Sequence, residues 1–173
     1  MWNDERDGSK PFYHIPANHL IYRFGDKFKN SYSFSVIRHP YDLILSWYNE
    51  HRKERYEAPV REFYDISLEE WIKRGCPTHW KGLHFNPLHQ YKWVCDGNNN
   101  IIVSKLIRME NYENDFNEVY HNIKAYLPSN VTNESIRSTR RNESCSKNQL
   151  TVNMKEGIYE LFKEDFRVFG YKK

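Results

Sequence analysis

The sequence predicts an α/β fold built on a parallel sheet, and three observations predict it. Tyr32 to Ile37 (YSFSVI) has strand character and runs straight into an amphipathic helix. Ile101 to Ile107 reads as a second strand and is also followed by a helix. The first of these strands is hydrophobic, which suits a strand inside a parallel sheet covered by helices. Ligands of such sheets bind beyond the carboxyl ends of the strands. Those ends are Arg38 and Arg108, so a site is expected there.

Each element can be justified in turn. Ala17 to Phe24 reads as a short helix that Gly25 closes in the C-cap role. After the first strand, Pro40 suits the opening position of a helix, where its missing N–H costs nothing. The apolar residues then fall at Tyr41, Ile44, Leu45 and Tyr48, one helical face, before the charged stretch His51 to Arg55 marks a solvated end. Ser67 with Glu70 is a capping box for a short helix (LEEWIKR) that Gly75 and Pro77 end. His79 to Gln90 is an irregular loop rich in aromatics, His and Pro, and Asp96 to Asn100 is a turn. Asn111 to Leu127 is a helix with Tyr112, Phe116, Val119, Tyr120 and Ile123 on one face. Pro128 to Asn148 is polar and loop-like. Thr151 caps a last helix, whose face of Ile158, Phe162, Phe166 and Phe169 ends at Gly170.

Composition narrows the function. A chain of 173 residues fits one domain, spanning residues 1–173, and is long enough to bury a core. Hydrophobic residues at 39% and aromatics at 16% exclude a disordered chain despite a mean hydropathy of −0.91. A net charge of +3 with a pI near 8.6 is only mildly basic. No helix carries a concentrated row of Lys or Arg, so a small anionic ligand is expected rather than nucleic acid. Cys76, Cys95 and Cys145 form neither a CxxC pair nor a disulfide framework, which points to a reducing compartment. No apolar run nears the length of a membrane span, and the charged start, MWNDERDGSK, is unlike a signal peptide. The chain as written is therefore expected in the cytoplasm. Sequons at Asn130, Asn133 and Asn142 would matter only in a secretory lumen.

The chemistry concentrates in SVIRHPYDLILSWY. A strand delivers Arg38 to the mouth of a helix, where unpaired N–H groups and a partial positive charge attract phosphate. The planar guanidinium is the best side-chain match to phosphate oxygens. Ser46 lies eight residues on, outside the apolar stripe and on the flank of Asp42 and Asn49. Helical side chains lean toward the N-terminus, so its hydroxyl can face the same anion. A bland reading stands beside this one: Arg38 pairs with Asp42, and Ser46 is only a small packing residue.

The run VIRHPYDLILSWY resembles the 3′-phosphate-binding segment of sulfotransferases, roughly V-R-N-P-x-D-R-x-x-S-x-Y. The resemblance implies that Arg38 and Ser46 hold the 3′-phosphate of 3′-phosphoadenosine 5′-phosphosulfate (PAPS). Three further segments resemble the family in the expected order. HIPANHLIYRFG is similar to the segment with its catalytic His, LIRMENYENDF to its second strand and following helix, and LTVNMKEGIYELFKEDFRVFGY to its terminal helix. The likeness covers most of residues 12 to 171. It implies a P-loop-NTPase-like fold with a central parallel sheet flanked by helices, a hydroxyl acceptor of the carbohydrate class, and no metal. His14 is then the candidate general base, since imidazole titrates near neutrality; His19 is its rival, and Glu110 suits a structural or adenine-side role.

The sequence departs from the family at His39, where Asn is usual, and at Leu43, where an Arg is frequent. It also lacks the first strand and the Lys-containing loop that wraps the phosphosulfate; Gly8-Ser9-Lys10 is the only hint. A fragment of a longer enzyme is therefore expected, in the Golgi lumen instead of the cytoplasm if that enzyme is a type II membrane protein. The alternatives are an inactive relative or a module that binds anionic polymers. Arg137, Arg140, Arg141 and Lys147 are either solvated or a further anion contact. Cys76, His79, His84, His89 and Cys95 carry zinc-type ligands, but their spacing matches no standard finger; an acceptor-lining loop, with His84 and Gln90 facing the acceptor, is preferred.

Overall fold

A computed structural model describes residues 14–53, 57–80, 84–129, 132 and 150–173. Gly8-Ser9-Lys10, the sequons, Cys145 and the group Arg137, Arg140, Arg141 and Lys147 lie outside those residues. The chain runs α1 (Ala17–Phe24), α2 (Asp26–Lys29), β1 (Phe34–Ile37), α3 (Pro40–His51), α4 (Ala58–Arg61), α5 (Leu68–Lys73) and α6 (Tyr91–Val94). It continues through β2 (Lys105–Arg108), a 3₁₀ turn (Met109–Asn111), α7 (Tyr112–Ile123), a second 3₁₀ turn (Lys124–Tyr126) and α8 (Val152–Phe169).

The caps expected from the sequence form. Gly25 takes φ 52° and returns its N–H to the Ile21 carbonyl. Ser67 Oγ accepts from the Glu70 N–H at 3.1 Å, while the Glu70 carboxylate turns to Arg74. Thr151 Oγ1 accepts from the Met154 N–H, and Gly170 ends α8 in the left-handed region at φ 65°. The short helices α2, α4 and α6 add to the elements that the sequence predicts. At four residues each they are too brief to carry a helical period.

β1 and β2 pair in parallel, with Phe34 opposite Lys105 and Ile37 opposite Arg108. Both are shorter than their hydrophobic runs. Ile101 does not join β2; it bridges back to Cys95 in antiparallel fashion around the Asp96 turn. That turn is closed by the Asp96 carboxylate, which accepts the backbone N–H groups of Asn98 and Asn100.

Among the described residues, three clusters form the core. The largest joins α3, α5 and α8 through Ile44, Tyr48, Tyr64, Trp71, Ile72, Ile158, Phe162 and Phe166. α5 and α8 approach closely at Gly157, where an added Cβ would sit 3.1 Å from Ile72 Cγ2. A second cluster, Ile37, Val94, Cys95 and Phe169, binds the end of β1 to α6 and to the end of α8. The third lays Phe116 and Val119 of α7 on Ile107 of β2. α8 thus touches both the helical core and the end of β1, and the Arg38 junction lies at that seam.

Candidate functional site

Arg38 follows β1 directly, and Pro40 opens α3. His39, between them, caps the helix: its Nδ1 accepts from the Tyr41 N–H at 3.3 Å, and its Nε2 lies 3.2 Å from the Lys172 carbonyl. A neutral imidazole with its proton on Nε2 satisfies both contacts. This accounts physically for His39 at a position where Asn is usual, since both side chains offer an acceptor to the first helical turn. It also changes the electrostatics of the helix mouth. Pro40 has no N–H and that of Tyr41 is capped, so an anion here must rely more on side chains than on orphaned backbone donors.

The junction is gripped by side chains from distant elements. The Gln90 amide spans the Arg38 backbone, Oε1 accepting from the Arg38 N–H at 2.8 Å and Nε2 donating to the Arg38 carbonyl at 2.7 Å. The Glu110 carboxylate accepts from the His39 N–H at 2.5 Å and from the Tyr171 hydroxyl at 3.1 Å. Burial, then the neighbouring Glu110, raises the Tyr171 phenol above its ordinary value. Arg108 is built in: its guanidinium donates to the Phe169 carbonyl and stacks on the Tyr171 ring, with its carbon 4.8 Å from the ring centre. Its own N–H goes to Asp115 at 2.7 Å. Of the two strand ends, Arg108 ties down the end of α8.

Asp165 of α8 is fully buried and accepts the N–H groups of Tyr91, at 2.7 Å, and Gln90. Burial pushes its carboxyl up to about 7, against the lowering effect of those two hydrogen bonds. Its second oxygen lies 3.8 Å from His89 Nδ1. Burial also lowers the His89 imidazole, so the neutral form of each partner is favoured.

Ser46 sits half-buried on α3. Ile44, Leu45 and Tyr48 are buried and Tyr41 packs against the core, as the apolar stripe requires, which leaves Ser46 on the flank. His14 is exposed, with φ 58°, and its ring lies 4.5 Å from that of Trp80 and 6.4 Å from that of Trp93. Trp93 belongs to α6, whose N-cap is Gln90. Residues three apart on a helix are separated by about 4.5 Å along its axis. The same short helix therefore touches the Arg38 backbone at one end and the His14 ring near the other. His19 is exposed on α1, which packs against α6.

The His-rich loop resolves into separate roles. His79 Nδ1 lies 3.3 Å from the Tyr64 hydroxyl, which also receives the Trp47 indole N–H at 2.8 Å. His51 stacks between Trp47 and Tyr64. Burial lowers His51, and burial with the nearby His51 lowers His79. His84 is exposed. Burial raises the Cys76 and Cys95 thiols to about 12 and about 11, values that suit inert core thiols. Among the described residues no three His, Cys, Asp or Glu side chains gather as a metal site. Gln90 faces the Arg38 backbone rather than an acceptor cleft. Its part in the junction, and that of Asp165, had no local signal beyond a polar residue among apolar ones.

A sequence model described as Sulfotransferase family matches residues 12–172. No curated protein and no solved structure matches the chain.

Proposed function

The chain belongs to the sulfotransferase family, and on that premise we propose that it moves a sulfuryl group from PAPS to a hydroxyl on a carbohydrate. Arg38 and Ser46 bind the donor's 3′-phosphate, and His14 is the general base. The reading is supported above all by the Arg38 junction, where a guanidinium leaves the carboxyl end of a parallel strand from a backbone clamped on two sides. The acceptor oxygen attacks sulfur as the bond from sulfur to the donor's 5′-phosphate oxygen breaks. That electron pair leaves with adenosine 3′,5′-bisphosphate, and the hydroxyl proton passes to the His14 imidazole. Such loose transition states ask the protein mainly for positioning and charge neutralisation. The contact of His14 with Trp93, on the helix that Gln90 caps, favours it over His19 as the base.

Adenosine 3′,5′-bisphosphate is expected to raise the melting temperature of the protein, and Arg38→Ala to abolish the rise, as loss of a charge-assisted contact requires. A protein that ignores the nucleotide yet binds heparin with a steep salt dependence would instead be a polyanion-binding module.

A further inference from the structure

The Arg38 peptide group offers one donor and one acceptor, and both are met by a single side chain. A primary amide carries a donor and an acceptor side by side on one planar group. Gln90 presents both at 2.8 and 2.7 Å and is itself buried. In effect it does for the Arg38 peptide what a partner strand would do, just past the last ladder pair, Ile37 with Arg108. Gln90 is in turn held by the N–H bonds that Asp165 accepts at the start of α6. On the other side of the junction, Glu110 takes the next N–H along, that of His39.

We propose that Gln90 is a positioning residue for donor binding: its amide fixes the backbone of Arg38, and so the direction in which the guanidinium leaves the sheet. The proposal rests on the reading of Arg38 as the ligand of the 3′-phosphate. Without the amide, the Arg38 peptide is free to rotate between the strand and the helix. The guanidinium then loses its preorganised aim, while a binding surface for the rest of the nucleotide is unchanged.

The test compares two nucleotides that differ only in the 3′-phosphate. Adenosine 3′,5′-bisphosphate and adenosine 5′-monophosphate are titrated calorimetrically into the wild type, Gln90→Glu, Arg38→Ala and the double variant. Gln90→Glu keeps the shape but turns a second acceptor toward the Arg38 carbonyl. It is expected to lower the preference for the bisphosphate by at least about tenfold, the scale of a lost buried hydrogen bond, with monophosphate affinity little changed. In the Arg38→Ala background it should add nothing. An equal loss for both nucleotides, as general loosening would give, or an unchanged preference overturns the proposal.

Gln90→Met, of similar length and without charge, carries the same expectation should the buried carboxylate prevent folding. Hydrogen exchange gives a readout independent of ligand: the Arg38 amide should exchange faster in Gln90→Met while that of Ile37 keeps its protection. Equal protection of Arg38 in variant and wild type overturns the clamp itself. Failure of the underlying reading appears elsewhere. A wild type with no preference for the bisphosphate, or an Arg38→Ala protein that keeps it, overturns the role of Arg38 and the proposal with it.

Discussion

The two sides of the molecule are built to different standards of burial. Where α3, α5 and α8 meet, Tyr64, Trp71, Ile44 and Ile158 have no exposed surface. On the sheet side, α7 packs on β2, and the start of β1 is left exposed. Val36 pairs with the fully packed Ile107, yet is 47% exposed itself, and Phe34 is 44% exposed. Parallel sheets are normally covered on both faces. The difference teaches that the helical core carries the densest packing, while β1 is held by its ladder with β2, by Ile37 and by the polar clamps at its end.

Truncating the core tests the strong side most directly. Trp71→Ala should cost about 3–5 kcal/mol, the range for losing a fully buried aromatic, read as a fall in the urea midpoint. A cost below about 1 kcal/mol, the level of an ordinary substitution, would break the comparison.

Asp165 tests the seam. Its folded carboxyl is raised from 3.8 to about 7, so between those values the native state holds a proton that the unfolded chain has released. Stability from this group is therefore complete below about 4 and lost as the pH rises toward 7. Measured against Asp165→Asn, the wild type should lose on the order of 1–3 kcal/mol across that window. Parallel stability curves for the two proteins would show that the seam does not titrate.

The smallest effect is expected on the open face. Val36→Thr should stay within about 0.5 kcal/mol, because an exposed strand position has little packing to lose. A larger cost in urea denaturation would mean that something covers this face.

Much of this architecture was legible in advance. The stripes of α3, α7 and α8, and the caps at Ser67, Thr151 and Gly170, are patterns of three or four residues that follow from helical geometry alone. Within the candidate site, the place of Arg38 could be read because a strand and a helix meet there, and that of Ser46 because it falls off the apolar stripe. The role of Arg108 could not be read. It sits at an equivalent strand end, and only the Phe169 carbonyl and the Tyr171 ring beside it show that it is occupied with structure. The motif residues Glu110, Asp115 and Tyr171 were legible as a family pattern but not as clamps.

By itself, the sequence determined the period of each long helix, where those helices start and stop, and which residues stand at the strand ends. Those features depend on backbone geometry over a few neighbouring residues. The tertiary structure decided which polar groups meet: Gln90 with Arg38 across 52 residues, Glu110 with His39 across 71, and Asp165 with Tyr91 across 74. Such pairs have no local period, because each depends on the closure of a long loop and on a direction that only the packed elements impose.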